Sequence, residues 1–239
     1  RVPLSGGSPQ EIALQASGDD LENNLERTTL TRGASDFAPT PDGRQAAIIA
    51  RGELFVYDLA ESGESQNAGE ANRVTATSQR ERDPRWSTDG RWLYFVSDRA
   101  GQEDVYRVRS ADSGETRLSR ALHFTLERLT SDVLPERSPI PSPDGRTVAF
   151  IRGNGDLWLM DADGRNQRRL VPGWDTGLQV AWSPDSRWIA YAQGDEDFNE
   201  EVWIVPADAS RPPVNVSQHP DNDNAPAWSP DGRFLVFAS

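Results

Sequence analysis

Only two histidines, His123 and His219, stand among the 239 residues of this chain, and cysteine is absent. A Ser-His-Asp nucleophilic centre would need one of those two imidazoles as its base. No serine sits in a Gly-x-Ser-x-Gly elbow. His123 falls in a long stretch between apolar runs and His219 in a polar connector before a turn, so a structural or surface role is expected for both. Without cysteine there is no disulfide framework, thiol nucleophile or thiolate metal site. Two distant imidazoles are a poor ligand set for zinc. The residues therefore assign no catalytic, cofactor-binding or metal-binding position and no cofactor.

The acids outnumber the bases, 38 to 25, for a net charge of −13. That balance argues against nucleic acid or an anionic membrane as partner, since both attract basic surfaces. Two acidic runs, Asp195-Glu196-Asp197 and Asp221-Asn222-Asp223-Asn224, carry the oxygens that calcium prefers. Neither has the loop spacing of an EF-hand, and both read as solvated connectors. Gly153-Asn154-Gly155 is followed by no helix, which removes a phosphate-cradling reading. The arginine cluster at 165–169 flanks an outer strand, and the Asn215-Val216-Ser217 sequon is taken as chance. Trp174, in Pro172-Gly173-Trp174-Asp175, stands outside any repeat and is a candidate for a surface contact.

The elements that must carry these residues are set by a repeated turn. Thr40-Pro41-Asp42-Gly43-Arg44 recurs as Ser87-Thr88-Asp89-Gly90-Arg91, Ser142-Pro143-Asp144-Gly145-Arg146, Ser183-Pro184-Asp185-Ser186-Arg187 and Ser229-Pro230-Asp231-Gly232-Arg233. The aspartates are 47, 55, 41 and 46 positions apart, a period of propeller blades or solenoids. Proline presets the first central position of a type I turn, and glycine takes the left-handed position that follows. Such a turn joins antiparallel strands. Ser186 stands where glycine is wanted, at a cost of roughly 1 kcal/mol.

After each turn come a short apolar run, a polar loop and a second apolar run. The first runs are 46–50, 92–96, 147–151, 188–192 and 234–238; the second are 54–59, 105–108, 157–160 and 202–205. They are rich in β-branched and aromatic residues and too short for stable helices, so they read as strands. A more polar strand is expected to close each unit near 73–75, 128–130, 169–171 and 214–216. The unit is thus a four-stranded antiparallel blade, and the fold an all-β propeller of about four full blades with partial blades at both ends. Trp86, Trp182 and Trp228 occupy one place before the turn, with Pro39 and Pro141 in the other copies, a recurrence that signals packing between blades.

In order, residues 1–34 read as the end of a preceding blade and a connector, and 35–239 as blades at about 35–77, 78–130, 131–172, 173–217 and a truncated 218–239. A soft loop is expected at 61–71 and a helical or extended insertion near 110–125. Arg1-Val2-Pro3-Leu4-Ser5-Gly6-Gly7 is comparable with Val202-Trp203-Ile204-Val205-Pro206-Ala207-Asp208, so either the ends pair to complete a blade or the chain is cut from a longer protein; the cut is the preferred reading. No apolar run approaches a membrane span, and the composition fits cytosol or periplasm.

The turn followed by an Ile-Ala-Phe type strand resembles the TolB-like propeller repeat, related in architecture to WD-repeat blades. Residues 50–55, Arg80-Glu81-Arg82-Asp83-Pro84-Arg85-Trp86-Ser87, 195–204 and 214–220 are similar to the propeller region of tricorn-like serine peptidases. That resemblance implies a multidomain peptidase whose propellers filter peptides or unfolded segments ahead of a PDZ module and a catalytic core, with a homo-oligomer of the parent among its expectations. The catalytic serine and histidine of that family belong to the core, so none is carried over here. Two further readings stand beside it: a TolB-like module that binds a protein partner, and the lid propeller of a prolyl-oligopeptidase-type enzyme.

Overall fold

The structure, a computed structural model, describes residues 33–59, 71–174, 177–194, 199–218 and 221–239. The segment expected to end a preceding blade and most of the loop expected to be soft lie outside these residues, as do residues 195–197 and His219. Every regular element among the described residues is a strand. The first sheet runs in sequence order through β1 (Ala34–Pro39), β2 (Gln45–Ala50), β3 (Glu53–Asp58) and β4 (Ala71–Arg73). The second has β5 (Glu81–Trp86), β6 (Leu93–Ser97), β7 (Asp104–Ser110) and β8 (Phe124–Arg128). The third has β9 (Glu136–Pro141), β10 (Thr147–Arg152), β11 (Asp156–Asp161) and β12 (Arg168–Val171). The fourth has β13 (Gln179–Trp182), β14 (Trp188–Gly194), β15 (Glu200–Pro206) and β16 (Val214–Asn215), and β17 (Asn224–Trp228) pairs with β18 (Leu235–Ala238) alone. All pairings are antiparallel, so the molecule is an incomplete propeller of four-stranded blades.

The five turns are built alike. In the first, the Gly43 amide donates to the Thr40 carbonyl at 2.9 Å and the Thr40 amide to Gln45 at 2.8 Å. The Thr40 hydroxyl donates to Asp42 at 2.6 Å, while that carboxylate accepts the Arg44 amide at 3.0 Å. Ser87, Ser142, Ser183 and Ser229 repeat the hydroxyl bond with Asp89, Asp144, Asp185 and Asp231. The hydroxyl, and then the arginine amide, hold the carboxyls of Asp42, Asp185 and Asp231 below the usual range. Gly43 has φ 68°, and Ser186 adopts φ 60° in the same place. The Ser186 hydroxyl accepts the Asp144 amide of the neighbouring turn at 3.0 Å, which offsets part of its strain.

Blades pack face to face because alternate side chains of a strand point to opposite sides. Phe95 and Leu93 meet Ile49 and Val56 of the first blade, whereas Tyr94 and Val105 meet Val148 and Phe150 of the third. On the far side of the third blade, Ala149, Ile151 and Leu157 pack on Ile189, Tyr191 and Val205. A strand covered on both faces needs an unbroken apolar run, which is why β6 is buried at every residue. In contrast Phe234 and Val236 of the fifth unit are 66% and 59% exposed. The recurrent tryptophans join neighbours directly. Trp86 donates its indole N–H to Ala38 at 2.9 Å, Trp182 to Ile140 at 3.0 Å and Trp228 to Ala181 at 3.2 Å.

The outermost strands β12 and β16 fall where the sequence places them, whereas β4 and β8 come earlier. β8 occupies Phe124–Arg128, and the expected run at 128–130 begins only where it ends. Leu129 is buried between blades, and the Thr130 hydroxyl accepts the Val105 amide at 2.9 Å, so these residues serve the blade junction instead of the sheet. The stretch around residues 111–123 forms turns without a helix and buries Leu118 and Ala121. Its Leu118 and Ala121 carbonyls accept the Asn72 amide group at 2.9 and 2.7 Å, tying it across the first blade.

Candidate functional site

The innermost strands β5, β9 and β17 each contain proline two residues before the position that tryptophan fills in β5 and β17 and Pro141 fills in β9. Proline has no N–H for the ladder, and the strand bulges at that place. The register shifts there in all three pairings. The residue before each proline turns left-handed, with φ 54° at Asp83, 51° at Ser138 and 52° at Ala225. β13 lacks the proline and pairs in regular register. Two of the displaced N–H groups are taken by the blade before: Ser138 donates to the Asp83 carboxylate at 2.9 Å and Ala225 to the Gln179 side chain at 2.6 Å.

Beside these bulges stand Arg82, Arg85 and Arg137. Arg82 pairs with Glu103 at 2.7 Å, Arg137 donates to the Gly153 carbonyl at 3.4 Å, and the exposed Arg85 folds back on the Pro84 carbonyl at 3.0 Å. The Nε atoms of Arg82 and Arg137 are buried and lack a hydrogen-bond partner among the described residues. The rim of the inner strands thus presents guanidinium and backbone donors within an acidic protein. Such groups recognise carbonyl and carboxylate oxygens.

A second polar arrangement lies between blades. The Glu81 amide donates to the Gly52 carbonyl at 2.7 Å, and its carboxylate receives the Thr75 hydroxyl at 3.1 Å and the Arg99 guanidinium at 2.7 Å. One junction later, Glu136 receives Thr130 at 3.0 Å and Arg152 at 2.9 Å. Arg152 also donates to Gln167 at 2.6 Å, and its guanidinium lies 4.1 Å from the centre of the Trp158 ring. Burial raises the Glu136 carboxyl to about 7; Thr130 and Arg152 oppose the rise, and the charge of Asp104 adds to it.

A shallow groove of about 260 Å³ lies at the turn end of the fourth and fifth units, lined by Trp188, Ile204 and Trp228 together with turn residues. His123 is 78% exposed at its side chain, with Nδ1 2.6 Å from Asp112. That contact comes first among the causes holding the Asp112 carboxyl below its ordinary value. No hydroxyl among the described hydrogen bonds completes a triad with this ring. Trp174 is half exposed and lies over Gly194, where an added Cβ would come within 3.2 Å of the indole. Asn222 accepts the Glu200 amide at 2.8 Å and Asn224 donates to the Glu200 carboxylate at 3.3 Å. The arginines at 168–169 stand on the outer strand β12, and the Asn215 side chain accepts the amides of Ser217 and Gln218.

Sequence reasoning missed both arrangements. The bulges were signalled by Asp83-Pro84, Ser138-Pro139 and Ala225-Pro226, and the clasps by a hydroxyl residue six positions before an acid in Thr75/Glu81 and Thr130/Glu136.

No family model matches the chain. It is 33% identical over 170 residues to an uncharacterized protein of Agrobacterium fabrum, an alignment spanning 64% of this chain and 53% of that protein. To the uncharacterized peptidase YuxL of Bacillus subtilis it is 30% identical over 214 residues, 83% of this chain and 28% of the relative. To a tricorn protease homolog of Saccharolobus solfataricus it is 29% identical over 97 residues, covering 40% and 9%. The chain therefore spans about half or less of these relatives. Among solved structures, the putative TolB from Agrobacterium tumefaciens superposes with a TM-score of 0.62 at 23% identity, over 85% of this chain and 69% of that one. The tricorn protease superposes with a TM-score of 0.65 at 17% identity, over 86% and 19%. On repeat pattern, blade architecture and these likenesses together, the chain is a TolB-like and tricorn-like β-propeller region.

Proposed function

We propose that this propeller is the noncatalytic portion of a tricorn-like serine peptidase and that it guides or selects peptides for a catalytic core, following a PDZ module, elsewhere in the parent protein. The observation that carries the reading is the rim of the inner strands, where Arg82, Arg85 and Arg137 stand beside bulged backbone. An extended peptide offers carbonyl oxygens along its length and a carboxylate at its end, and both suit those donors. The likeness to a tricorn protease homolog and to a peptidase supports the same class of parent.

Fluorescence anisotropy with labelled unstructured peptides tests this. Binding is expected with a dissociation constant between micromolar and millimolar, weakened about 10-fold by the pair Arg82→Ala and Arg137→Ala, as for a loss of roughly 1.4 kcal/mol. No turnover is expected from the propeller. Absence of binding would remove the reading, and so would cleavage abolished by His123→Ala. The second reading, a TolB-like module for a folded protein partner, rests on 31% identity over 91 residues to the TolB protein of an Anaeromyxobacter. Capture of a folded protein at an affinity that unstructured peptides cannot displace distinguishes it.

A further inference from the structure

Three connectors between blades share one frame. Each starts at a hydroxyl, on Thr75, Thr130 or Ser217, that accepts an amide of the blade it leaves, from Leu54, Val105 and Val202. Each ends at an acid, Glu81, Glu136 or Asp223, whose own amide donates back to Gly52, Glu103 and Glu200. Three and four residues after the hydroxyl, the first connector carries Ser78-Gln79 and the last Pro220-Asp221. The middle one carries Val133-Leu134, which are 87% and 48% exposed. The first connector closes the same frame with polar residues, so the fold does not call for two branched apolar side chains at this place.

The pair is also held still. The Leu134 amide donates to Asp132 at 3.1 Å, Asp132 pairs with Arg152 at 3.6 Å, and the Gly153 amide donates to the Pro135 carbonyl at 2.8 Å. Leu134 lies over Gly153, where an added Cβ would come within 3.3 Å of its side chain. On the far side of the hairpin that holds Gly153, the Gly173 amide donates to Asp156 at 2.9 Å, and the half-exposed Trp174 follows. One exposed apolar residue is ordinary, but three around a single hairpin form a surface. Side chains already fixed in place lose little further freedom when a ligand covers them.

The occupant is indicated by what borders this surface. Arg137, three residues after Leu134, donates to the Gly153 carbonyl at 3.4 Å, so the arginine rim and the apolar surface meet at one hairpin. Guanidinium donors beside apolar side chains match an extended peptide, which offers carbonyl oxygens and bulky side chains in alternation. We infer that Val133, Leu134 and Trp174 select among peptides, taking a branched aliphatic or aromatic side chain from the same segment whose oxygens meet Arg137. The inference rests on the peptide-guiding reading and adds a side-chain preference to it.

The test uses the full-length protein and two labelled unstructured peptides, a Gly-Ser chain with a central leucine and the same chain with serine in its place. Fluorescence anisotropy is expected to show about 10-fold tighter binding of the leucine peptide, as for partial burial of that side chain. Val133→Ser combined with Leu134→Gln, which copies the first connector, is expected to abolish the preference and leave the affinity for the serine peptide unchanged. Val133→Ser alone lowers the preference in part. Arg82→Ala with Arg137→Ala weakens both peptides and keeps the preference. Equal binding of the two peptides, or a preference that survives the double variant, overturns this inference and leaves the peptide-guiding reading in place. A double variant that also loses the serine peptide overturns it too, because the pair then serves the fold instead of selection. Binding of neither peptide by the natural protein overturns both readings. Self-association in sedimentation velocity that the double variant abolishes would assign the surface to a second copy, and it overturns the inference as well.

Discussion

Between the second and third blades a buried acid, a hydroxyl and a guanidinium satisfy one another, whereas between the fourth and fifth the same backbone position holds Asp223, whose carboxylate oxygens have no hydrogen-bond partner among the described residues. The two junctions still share their main-chain bond from acid to preceding blade, at 2.8 Å in both. Turns of one design are likewise common to both. The polar clasp is therefore an addition to a scaffold that already stands. Its members can be exchanged or lost at one junction without disturbing the path of the chain.

The largest expected effect is at the complete clasp. Arg152→Ala strands the ionised Glu136 carboxylate away from water and should lower stability by about 3–5 kcal/mol in urea unfolding on the alkaline side of its titration near 7. Asn215→Ala, at the junction lacking a clasp, should cost about 1 kcal/mol or less. Equal losses would break the contrast. The next effect is one of pH. Glu136 holds its proton up to about 7 in the folded protein, from an ordinary value of 4.5, so its contribution is fully present below 4.5 and is lost as pH rises through 7. The stability of the natural chain relative to Glu136→Gln should accordingly fall between pH 4.5 and 8, by a few kcal/mol at about 1.4 per unit. A constant difference across that range would show that burial does not govern this carboxyl. The smallest effect concerns a feature both regions share. Trp86→Phe and Trp228→Phe each delete an indole N–H bonded to the preceding blade, and each should cost roughly 1–2 kcal/mol, measured by thermal unfolding. Markedly unequal costs would mean that the junctions differ in more than their clasps.

The turns could be read from residue types because their chemistry is local. Serine, proline, aspartate and glycine within five positions dictate the hydrogen bonds found from Thr40 to Gln45 and in every later copy. The tryptophan contacts were legible as a recurrence, although their carbonyl partners 42 to 48 residues away were not. The clasps stayed hidden for a different reason. Glu81, Glu136 and Asp223 look like surface acids until the sheets stack, and only the register shows that Arg99 and Arg152 return to the first two. Residues 128–130 look like a strand because Leu129 is apolar, yet that side chain is spent between blades. The bulges were visible in the Asp83-Pro84, Ser138-Pro139 and Ala225-Pro226 pairs, because proline brings no N–H to the ladder.

The strap at residues 111–123 has a bearing on synthesis. Asn72 finds its acceptors on Leu118 and Ala121, and Gln45 meets the Ser119 amide 74 positions later. A nascent first blade cannot complete its outer edge until most of the second has left the ribosome. The leading pair must mature as one unit, and a pause in translation before residue 121 would hold back both.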